Sequence, residues 1–148
     1  MGGKKNIVIV DLDGTLALDE HRIHHLRDGK WDWDSYLAGA LADAPNHPVV
    51  QLVRILKFSG KQIYILSARL NESRSDTMVW LDLHSVPYDH LELCMDRKRC
   101  MDPQLKVEWL DSLDIRSRVW LVLEDRKKMV DAWRNEGLTC LQVAPGDF

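Results

Sequence analysis

The chain has 148 residues, of which 45% are hydrophobic and 29% charged, and its formal net charge is −3. This composition is typical of one globular domain, and it excludes a disordered chain or a polybasic protein that coats nucleic acid. No window has the apolar length of a signal peptide or a membrane span, so we expect a soluble protein of the cytoplasm without membrane contact. Because the three cysteines form no C-x-x-C pair, we expect neither a disulfide framework nor a zinc site: Cys94, Cys100 and Cys140.

Short apolar runs alternate with helical patterns along the chain. Strands are predicted at 6–10, 62–66, 119–123 and 139–143, with a weaker candidate at 88–94, and helices at 48–58, 72–84, 127–136 and around Lys106. The alternation predicts an α/β fold with a Rossmann-like, doubly wound parallel sheet. The stretch after the first strand is too long for a loop. We therefore predict a single domain with a core of residues 1–15 and 48–148 and a small helical cap inserted at about 16–47.

Polar side chains follow three of the predicted strands. In an open parallel sheet, ligands bind at the carboxyl ends of the strands, and those ends share one edge. We therefore expect these residues to meet there, with Lys106 from a nearby helix: Asp11 and Asp13 after the first strand, Ser67 and Arg69 after the second, and Glu124 and Asp125 after the run at 119–123.

The chemistry of this group favours a divalent cation and a phosphate ester. Crowded carboxylates repel one another unless a cation lies among them, and ligands that are all oxygen favour Mg²⁺. Arg69 and Lys106 are suited to binding phosphate oxygens. One aspartate would attack phosphorus, and the other would protonate the leaving alcohol and later activate water. The alternative for Asp11 and Asp13 is a solvated strand end, and for Asp102 and Lys106 an exposed i, i+4 helix pair.

Four motifs in order resemble those of the haloacid dehalogenase superfamily: "DLDGTLA", "ILSAR", Lys106 and "LEDR". The resemblance implies that Asp11 is the nucleophile and Asp13 the general acid/base. It also implies that Asp11, the main-chain carbonyl of Asp13, and Asp125 hold Mg²⁺. Ser67 and Lys106 would bind the phosphoryl group.

A closer resemblance is to the 3′-phosphatase domain of phage-type polynucleotide kinase-phosphatases. It rests on "LEDRKKMVDAWRNEGLTCLQVAPGDF", on "SAR" followed by "TMVWL", on Arg22 eleven residues after Asp11, and on Asp102 four residues before Lys106. By this resemblance Arg22 and Arg69 would grip substrate phosphate, and Asp102 would orient Lys106. Two departures are Ser-Ala-Arg in place of Ser-Gly-Arg, and Glu124 where a second aspartate is common, which affects the outer metal shell. No G-x-x-x-x-G-K-[ST] occurs, so kinase activity is not expected.

The sequence thus predicts a Mg²⁺-dependent phosphomonoester hydrolase that acts through an aspartyl-phosphate, and the resemblance implies that it removes 3′-terminal phosphates from nucleic acid. One alternative is a nucleotidase or another small-molecule phosphatase. Between these two readings, the expected substrate is either a phosphorylated nucleic acid end or a nucleotide. Another is a non-catalytic phosphate-binding module. The oligomeric state stays open.

Outside these motifs, three groups of residues could have either a structural or a functional role: aromatic residues, histidines and a basic run. For Trp31, Trp33 and Tyr36 we favour packing within the cap over base stacking. The run at 96–100 fits either a solvated loop or a patch that steers an anionic substrate. Four further tryptophans are predicted to lie in the core: Trp80, Trp109, Trp120 and Trp133. Three clustered histidines are predicted to lie on the cap surface rather than to bind a transition metal: His21, His24 and His25.

Overall fold

A five-stranded, entirely parallel sheet forms the centre of the molecule. The computed structural model describes residues 3–147. The strands of this sheet lie in the order β5-β4-β1-β6-β7, which confirms the predicted α/β fold. Two further short strands pair separately in the cap. In chain order the strands are β1 (Ile7–Val10), β2 (Ala17–Leu18), β3 (Ala44–Pro45), β4 (Gln62–Leu70), β5 (His90–Cys94), β6 (Val119–Glu124) and β7 (Cys140–Gln142).

Helices cover both faces of the sheet. Side chains alternate along β1, so that Val8 and Val10 pack beneath one helical layer while Ile7 and Ile9 pack beneath the other. Because both faces are buried, β1 is apolar throughout, as the continuous run in the sequence indicated. The helices are α1 (Trp33–Ala38) in the cap, α2 (His47–Phe58) and α3 (Arg74–Leu83) on the first face, and α4 (Pro103–Ser112) and α5 (Lys127–Asn135) on the second.

The segment predicted as a cap contains β2 near its start and β3 near its end, and these strands pair as a two-stranded antiparallel ribbon. Between these strands the chain forms a 3₁₀ turn at Ile23–Leu26, then α1, then a second 3₁₀ turn at Ala40–Ala42. The indole Nε1–H of Trp80 on α3 donates to the main-chain oxygen of Asp43, at 3.0 Å, which ties the end of the cap to the core.

Two tryptophan predictions are wrong. Trp33 and Tyr36 are buried and meet edge to face, as expected, but the side chain of Trp31 is 52% exposed. Among the four predicted core tryptophans, Trp120 is 41% exposed at the start of β6, where the ammonium of Lys61 lies 4.1 Å from its ring centroid. Apolar periodicity cannot distinguish a ring in the core from one covered by a lysine.

The prediction that the chain contains no disulfide is also wrong. Cys94, at the end of β5, is bonded to Cys100, and their Cα atoms are 5.7 Å apart. The loop at 95–99 reverses the chain, and a spacing of six residues matches no disulfide or metal motif. Cys140 is buried and unpaired.

Within residues 3–147 no helix combines the length and apolar character needed to cross a membrane.

Candidate active site

Asp11 stands at the centre of the site, directly after β1. Its N–H donates to the carbonyl of Leu123 at 3.0 Å, which continues the pairing of β1 with β6 by one residue. The ammonium of Lys106, on α4, donates to Asp11 Oδ1 at 2.7 Å and to Glu124 Oε2 at 3.3 Å. Burial alone would lower the pKa of Lys106, but the charges of Asp11 and Glu124 raise it above its ordinary value, so the lysine is a cation.

Three buried carboxylates converge beside this lysine. Asp11, Glu124 and Asp125 each offer an oxygen, and the three oxygens lie within 4.8 Å of one another. Burial, followed by the charge of Asp11, raises the pKa of Glu124 to about 7 and that of Asp125 to about 10. Three acids against one contacting ammonium leave an excess of negative charge that a divalent cation fits.

Glu124 and Asp125 contribute differently to this group. Glu124 Oε1 accepts the main-chain N–H groups of Asp125 (3.1 Å) and Arg126 (3.4 Å), while Oε2 faces Lys106. Both oxygens of Glu124 are therefore engaged by the protein. Asp125 Oδ1 accepts the hydroxyl of Thr15 at 3.2 Å, and Asp11 accepts Lys106 through Oδ1 and the Thr15 hydroxyl, at 3.4 Å, through Oδ2. Each of the three acids could offer an oxygen to a metal ion.

Asp13 faces away from the three acids, toward two buried arginines. Arg69 donates to both carboxylate oxygens of Asp13, at 2.7–3.1 Å, and Arg22 Nη2 donates to Oδ1 at 2.5 Å. Burial would raise the pKa of Asp13, but the charges and hydrogen bonds of Arg69 and Arg22 together lower it well below its ordinary value. Asp13 is therefore an ionised carboxylate in this arrangement.

Asp43 completes this group, although it was not among the site residues predicted from the sequence. Its side chain has no exposed surface; it accepts Arg22 Nε at 2.8 Å and Arg22 Nη2 at 2.5 Å, and Arg69 Nη2 lies 3.4 Å away. His21 Nε2 approaches the same carboxylate at 2.7 Å. Asp43 belongs to no motif, and the available signal was a single acid in the short stretch "ALADAPN".

Two predicted site residues make their hydrogen bonds outside the group of acids. Asp102 caps the start of α4, accepts the N–H of Gln104 at 2.9 Å and pairs with Arg99 at 3.2 Å; among the described residues it makes no hydrogen bond to Lys106, and its orienting role stays a prediction. The cap position turns its side chain toward its own helix, and Glu124 contacts the lysine instead. Ser67 is buried within β4, where its oxygen accepts the N–H of Arg69 at 3.1 Å.

The motif at 67–69 does not follow β4 but belongs to it, because this strand extends to Leu70. Its pairing with β5 is irregular between Leu66 and Leu70. This interruption of the ladder accompanies the turn of the Arg69 side chain toward Asp13, and the guanidinium is also anchored by Thr77 Oγ1 at 3.1 Å.

The acids surround a small cavity of about 60 Å³ that the cap covers. Asp19 and Tyr36 line it and are joined by a hydrogen bond of 2.7 Å from the phenol to the carboxylate. Burial, followed by the charge of Asp13, raises the pKa of Asp19 to about 6. The ring of Tyr36 also supports Arg22, whose guanidinium carbon lies 4.0 Å from its centroid.

His21 reaches the site through Asp43, whereas His24, His25 and the charged side chains of the basic run do not contact the acids. In the described part of the chain, the one group of acids, histidines or cysteines close enough to share an ion contains no histidine. The rings of His24 and His25 contact each other at 4.0 Å. Arg97, within the run at 96–100, pairs with Asp34 at 2.8 Å across the boundary of cap and core. The run is thus an exposed, ion-paired loop, and substrate steering by it stays a prediction.

Gly14 permits the close approach of the first turn to Asp125. Its φ is +82°, and a Cβ at this position would overlap the Asp125 carboxylate. We expect Gly14→Ala to displace Asp125 and to lower metal-dependent activity about 10- to 100-fold, the scale seen when groups that support a metal site are disturbed. Hydrolysis over a range of metal concentrations tests this, with Gly60→Ala as the control because Gly60 also has a positive φ but open space around its Cβ. Equal losses of activity in Gly14→Ala and Gly60→Ala would contradict this role of Gly14.

Comparison with solved structures first shows which class of proteins shares this fold. The chain superposes on a haloacid dehalogenase-like family hydrolase from Streptococcus pneumoniae with a TM-score of 0.68, at 15% identity over 93% of this chain and 83% of that one. It superposes on L-2-haloacid dehalogenase from Xanthobacter autotrophicus with a TM-score of 0.66, at 14% identity over 93% and 77% of the two chains. The fold is therefore that of the haloacid dehalogenase-like hydrolases.

The family follows from two closer matches. The family model described as "Polynucleotide kinase PNKP phosphatase domain" matches residues 5–148. A chain of the Pnkp1/Rnl/Hen1 complex is 32% identical, with a TM-score of 0.82 over 98% of this chain and 48% of that one. This chain belongs to the family of polynucleotide kinase PNKP phosphatase domains, and it spans about half the length of that relative.

Proposed function

We propose that this chain is a Mg²⁺-dependent phosphomonoester hydrolase that removes 3′-terminal phosphates from nucleic acid through an aspartyl-phosphate intermediate. The observation that carries the proposal is the position of Asp11. Its carboxylate lies at a strand end, 2.7 Å from a buried ammonium and beside two further acids, in a chain of a phosphatase family. A solvated strand end would have none of these partners.

The chain's own residues supply two successive transfers. A carboxylate oxygen of Asp11 bonds to phosphorus while the ester P–O bond breaks, and the leaving alcohol takes its proton from Asp13. Asp13, now ionised, accepts a proton from water as the water oxygen attacks the aspartyl-phosphate; inorganic phosphate leaves and Asp11 is restored.

Asp13 must gain a proton before the first transfer. Arg69 and Arg22 hold it ionised in the structure. If both arginines turn to the incoming phosphate, as we propose, they release Asp13, so that its pKa rises toward the range of a general acid. Substrate binding thereby prepares the acid for the leaving group.

Asp11 and Asp125 would hold the metal, together with the main-chain carbonyl of Asp13. When bound, Mg²⁺ neutralises the phosphate and the nucleophile, whose mutual repulsion would otherwise oppose attack. The excess of buried carboxylates beside a single lysine supports this ion, and the oxygen-only ligand set favours Mg²⁺ over softer metals.

Membership of the polynucleotide kinase PNKP phosphatase domains supports a nucleic acid end as the substrate. A second 32% identical relative is described as part of the Pnkp1/Rnl/Hen1 RNA repair complex, with a TM-score of 0.81 over 96% of this chain and 43% of that one. We propose that this chain likewise acts on nucleic acid ends. A location in the cytoplasm stays a prediction from the sequence.

Phosphate release from a panel of esters tests the proposal. The panel contains an oligonucleotide with a 3′-phosphate, the same oligonucleotide with a 5′-phosphate, and free 3′- and 5′-mononucleotides, each with Mg²⁺ and with chelator. We expect the 3′-phosphorylated oligonucleotide to exceed the 5′-phosphorylated one by at least tenfold in kcat/KM, or about 1.4 kcal/mol of transition-state discrimination. Faster turnover of 5′-mononucleotides would replace the proposal with a nucleotidase, and no turnover of any ester would leave a binding module.

Stabilisation by Mg²⁺ should increase with pH. The pKa values of Glu124 and Asp125 are raised to about 7 and about 10, so the native metal-free protein retains protons that the unfolded chain releases. Its free energy of unfolding therefore falls as pH rises from about 4 through about 7 and beyond. Mg²⁺ binds the ionised carboxylates and removes this penalty.

Unfolding temperatures with and without Mg²⁺, at about pH 5 and about pH 8, measure this dependence. We expect the larger increase at the higher pH, and a much smaller difference between the two pH values in Asp125→Asn. An increase that is the same at both pH values would show that Mg²⁺ does not compete with protons at these acids.

A further inference from the structure

A second, larger cavity opens next to the one that contains the acids. The inner cavity has a volume of about 60 Å³, and the outer groove one of about 670 Å³. The two share the side chains of Ile23 and Leu26 from the cap and of Met101 and Arg126 from the core. The shared residues form a sill between the buried acids and the surface.

The inner cavity is the smaller of the two, and it is the one lined by the acids. A phosphoryl group bound among those acids would direct the sugar and base that carry it past the sill and into the outer groove.

The lining of the outer groove combines an aromatic ring with positive charge. Trp31 is 52% exposed and adopts a φ of +47°, a backbone conformation that bulky residues rarely take. Three basic residues and two acidic ones share the groove with it: Arg27, Arg126, Lys128, Asp28 and Asp147. An exposed indole beside clustered cations is the combination by which proteins bind single-stranded nucleic acid, through base stacking and backbone attraction.

Arg126 holds the sill in place. Its Nη2 donates to the main-chain oxygen of Met101 at 2.9 Å, and its Nε is buried without a hydrogen-bond partner among residues 3–147. Lys128, the second residue of α5, is exposed and makes no ion pair within the described chain. A phosphodiester crossing the sill would meet both side chains.

We propose that the outer groove binds the strand on the 5′ side of the terminal 3′-phosphate, with a base stacked on Trp31 and the backbone near Arg126 and Lys128. This proposal rests on the proposed function and adds a binding subsite to it. For Trp31 it replaces the earlier expectation, packing within the cap, with base stacking.

A length series of substrates tests the groove. For the wild-type protein we measure kcat/KM with a 3′-phosphorylated mononucleotide, dinucleotide and trinucleotide, and we expect it to increase with length. Trp31→Ala should remove about tenfold from the trinucleotide while leaving the mononucleotide within about twofold, and Trp31→Phe should retain most of the gain. Lys128→Ala should reduce the dependence of trinucleotide KM on salt concentration.

The matched control is Trp120→Ala, which removes another half-exposed tryptophan, located at the start of β6 and away from the groove. We expect it to change neither the length dependence nor the salt dependence. Equal turnover of mononucleotide and trinucleotide, or a length gain that survives Trp31→Ala, would overturn the groove while the phosphatase proposal stands. Absence of phosphate release from every 3′-phosphorylated compound would instead overturn the proposed function and the groove with it.

Discussion

Asp11→Asn is expected to abolish phosphate release while leaving the protein folded. The amide has nearly the shape of the carboxylate but lacks its charge, so it can neither attack phosphorus nor contribute an anionic metal ligand. We expect kcat to fall at least about 10³-fold, the scale typical of removing a nucleophile. Lys106 keeps an acidic partner, because Glu124 lies 3.3 Å from its ammonium. Initial rates at saturating substrate, with thermal unfolding of the same preparation, provide the measurement.

The control for Asp11 is Asp111→Asn, the same change at an aspartate whose side chain is 68% exposed and paired only with Arg116. It should keep full activity.

Asp13→Asn separates the two catalytic roles, because p-nitrophenolate leaves without needing a proton. This variant should therefore lose less activity with p-nitrophenyl phosphate than with an alkyl ester, whereas Asp11→Asn should lose both equally. Activity of Asp11→Asn near that of wild type would exclude Asp11 as the nucleophile.

Asp43→Asn is expected to cause the largest loss of stability. It removes a carboxylate with no exposed surface that accepts two hydrogen bonds from Arg22 and one from Arg69. The two buried guanidinium groups would then have Asp13 as their remaining acidic partner. Breaking a buried ion pair by removing one partner costs about 3–5 kcal/mol. For a chain of this length, each kcal/mol lowers the unfolding temperature by about 2–4 °C, so we expect a decrease of roughly 6–20 °C.

Asp34→Asn is the matched control for Asp43, since it makes the same change within the cap at a side chain that is 79% exposed. Its effect on the free energy of unfolding should be within about 0.5 kcal/mol. Asp43→Asn should also raise KM for phosphate esters, because the arginines proposed to bind phosphate lose the group that orients them. A variant as stable and as active as wild type would show that Asp13 alone suffices to hold both arginines.

Most of the core could be predicted from the sequence because each signal is local. Short runs rich in β-branched residues, such as "IVIV", are typical of strands buried on both faces, and the acids that follow them mark strand ends. Since parallel strands share one polarity, the meeting of Asp11 and Asp125 follows from the order of the strands, and the motif pattern added Lys106. The four motifs can be recognised without knowing how the cap folds.

The partners of the cap could not be predicted in this way. Asp43 reaches Arg22 and Arg69 only because the β2–β3 ribbon returns the chain to the core, and neither propensity nor periodicity encodes that return. Asp102 is a different case. The resemblance implied that it orients Lys106, whereas its position as the residue before α4 places its carboxylate beside the N–H of Gln104.

The sequence by itself determined the sheet, its polarity and the chemistry at the end of β1, because these depend on residue type and on position along the chain. Only the tertiary structure decided which charges neutralise one another and which aromatic rings face solvent. Those outcomes depend on distances between segments far apart in sequence. The pairing of Asp13 with Arg22 and Arg69, the burial of Asp43 and the exposure of Trp31 were therefore visible only in the folded molecule.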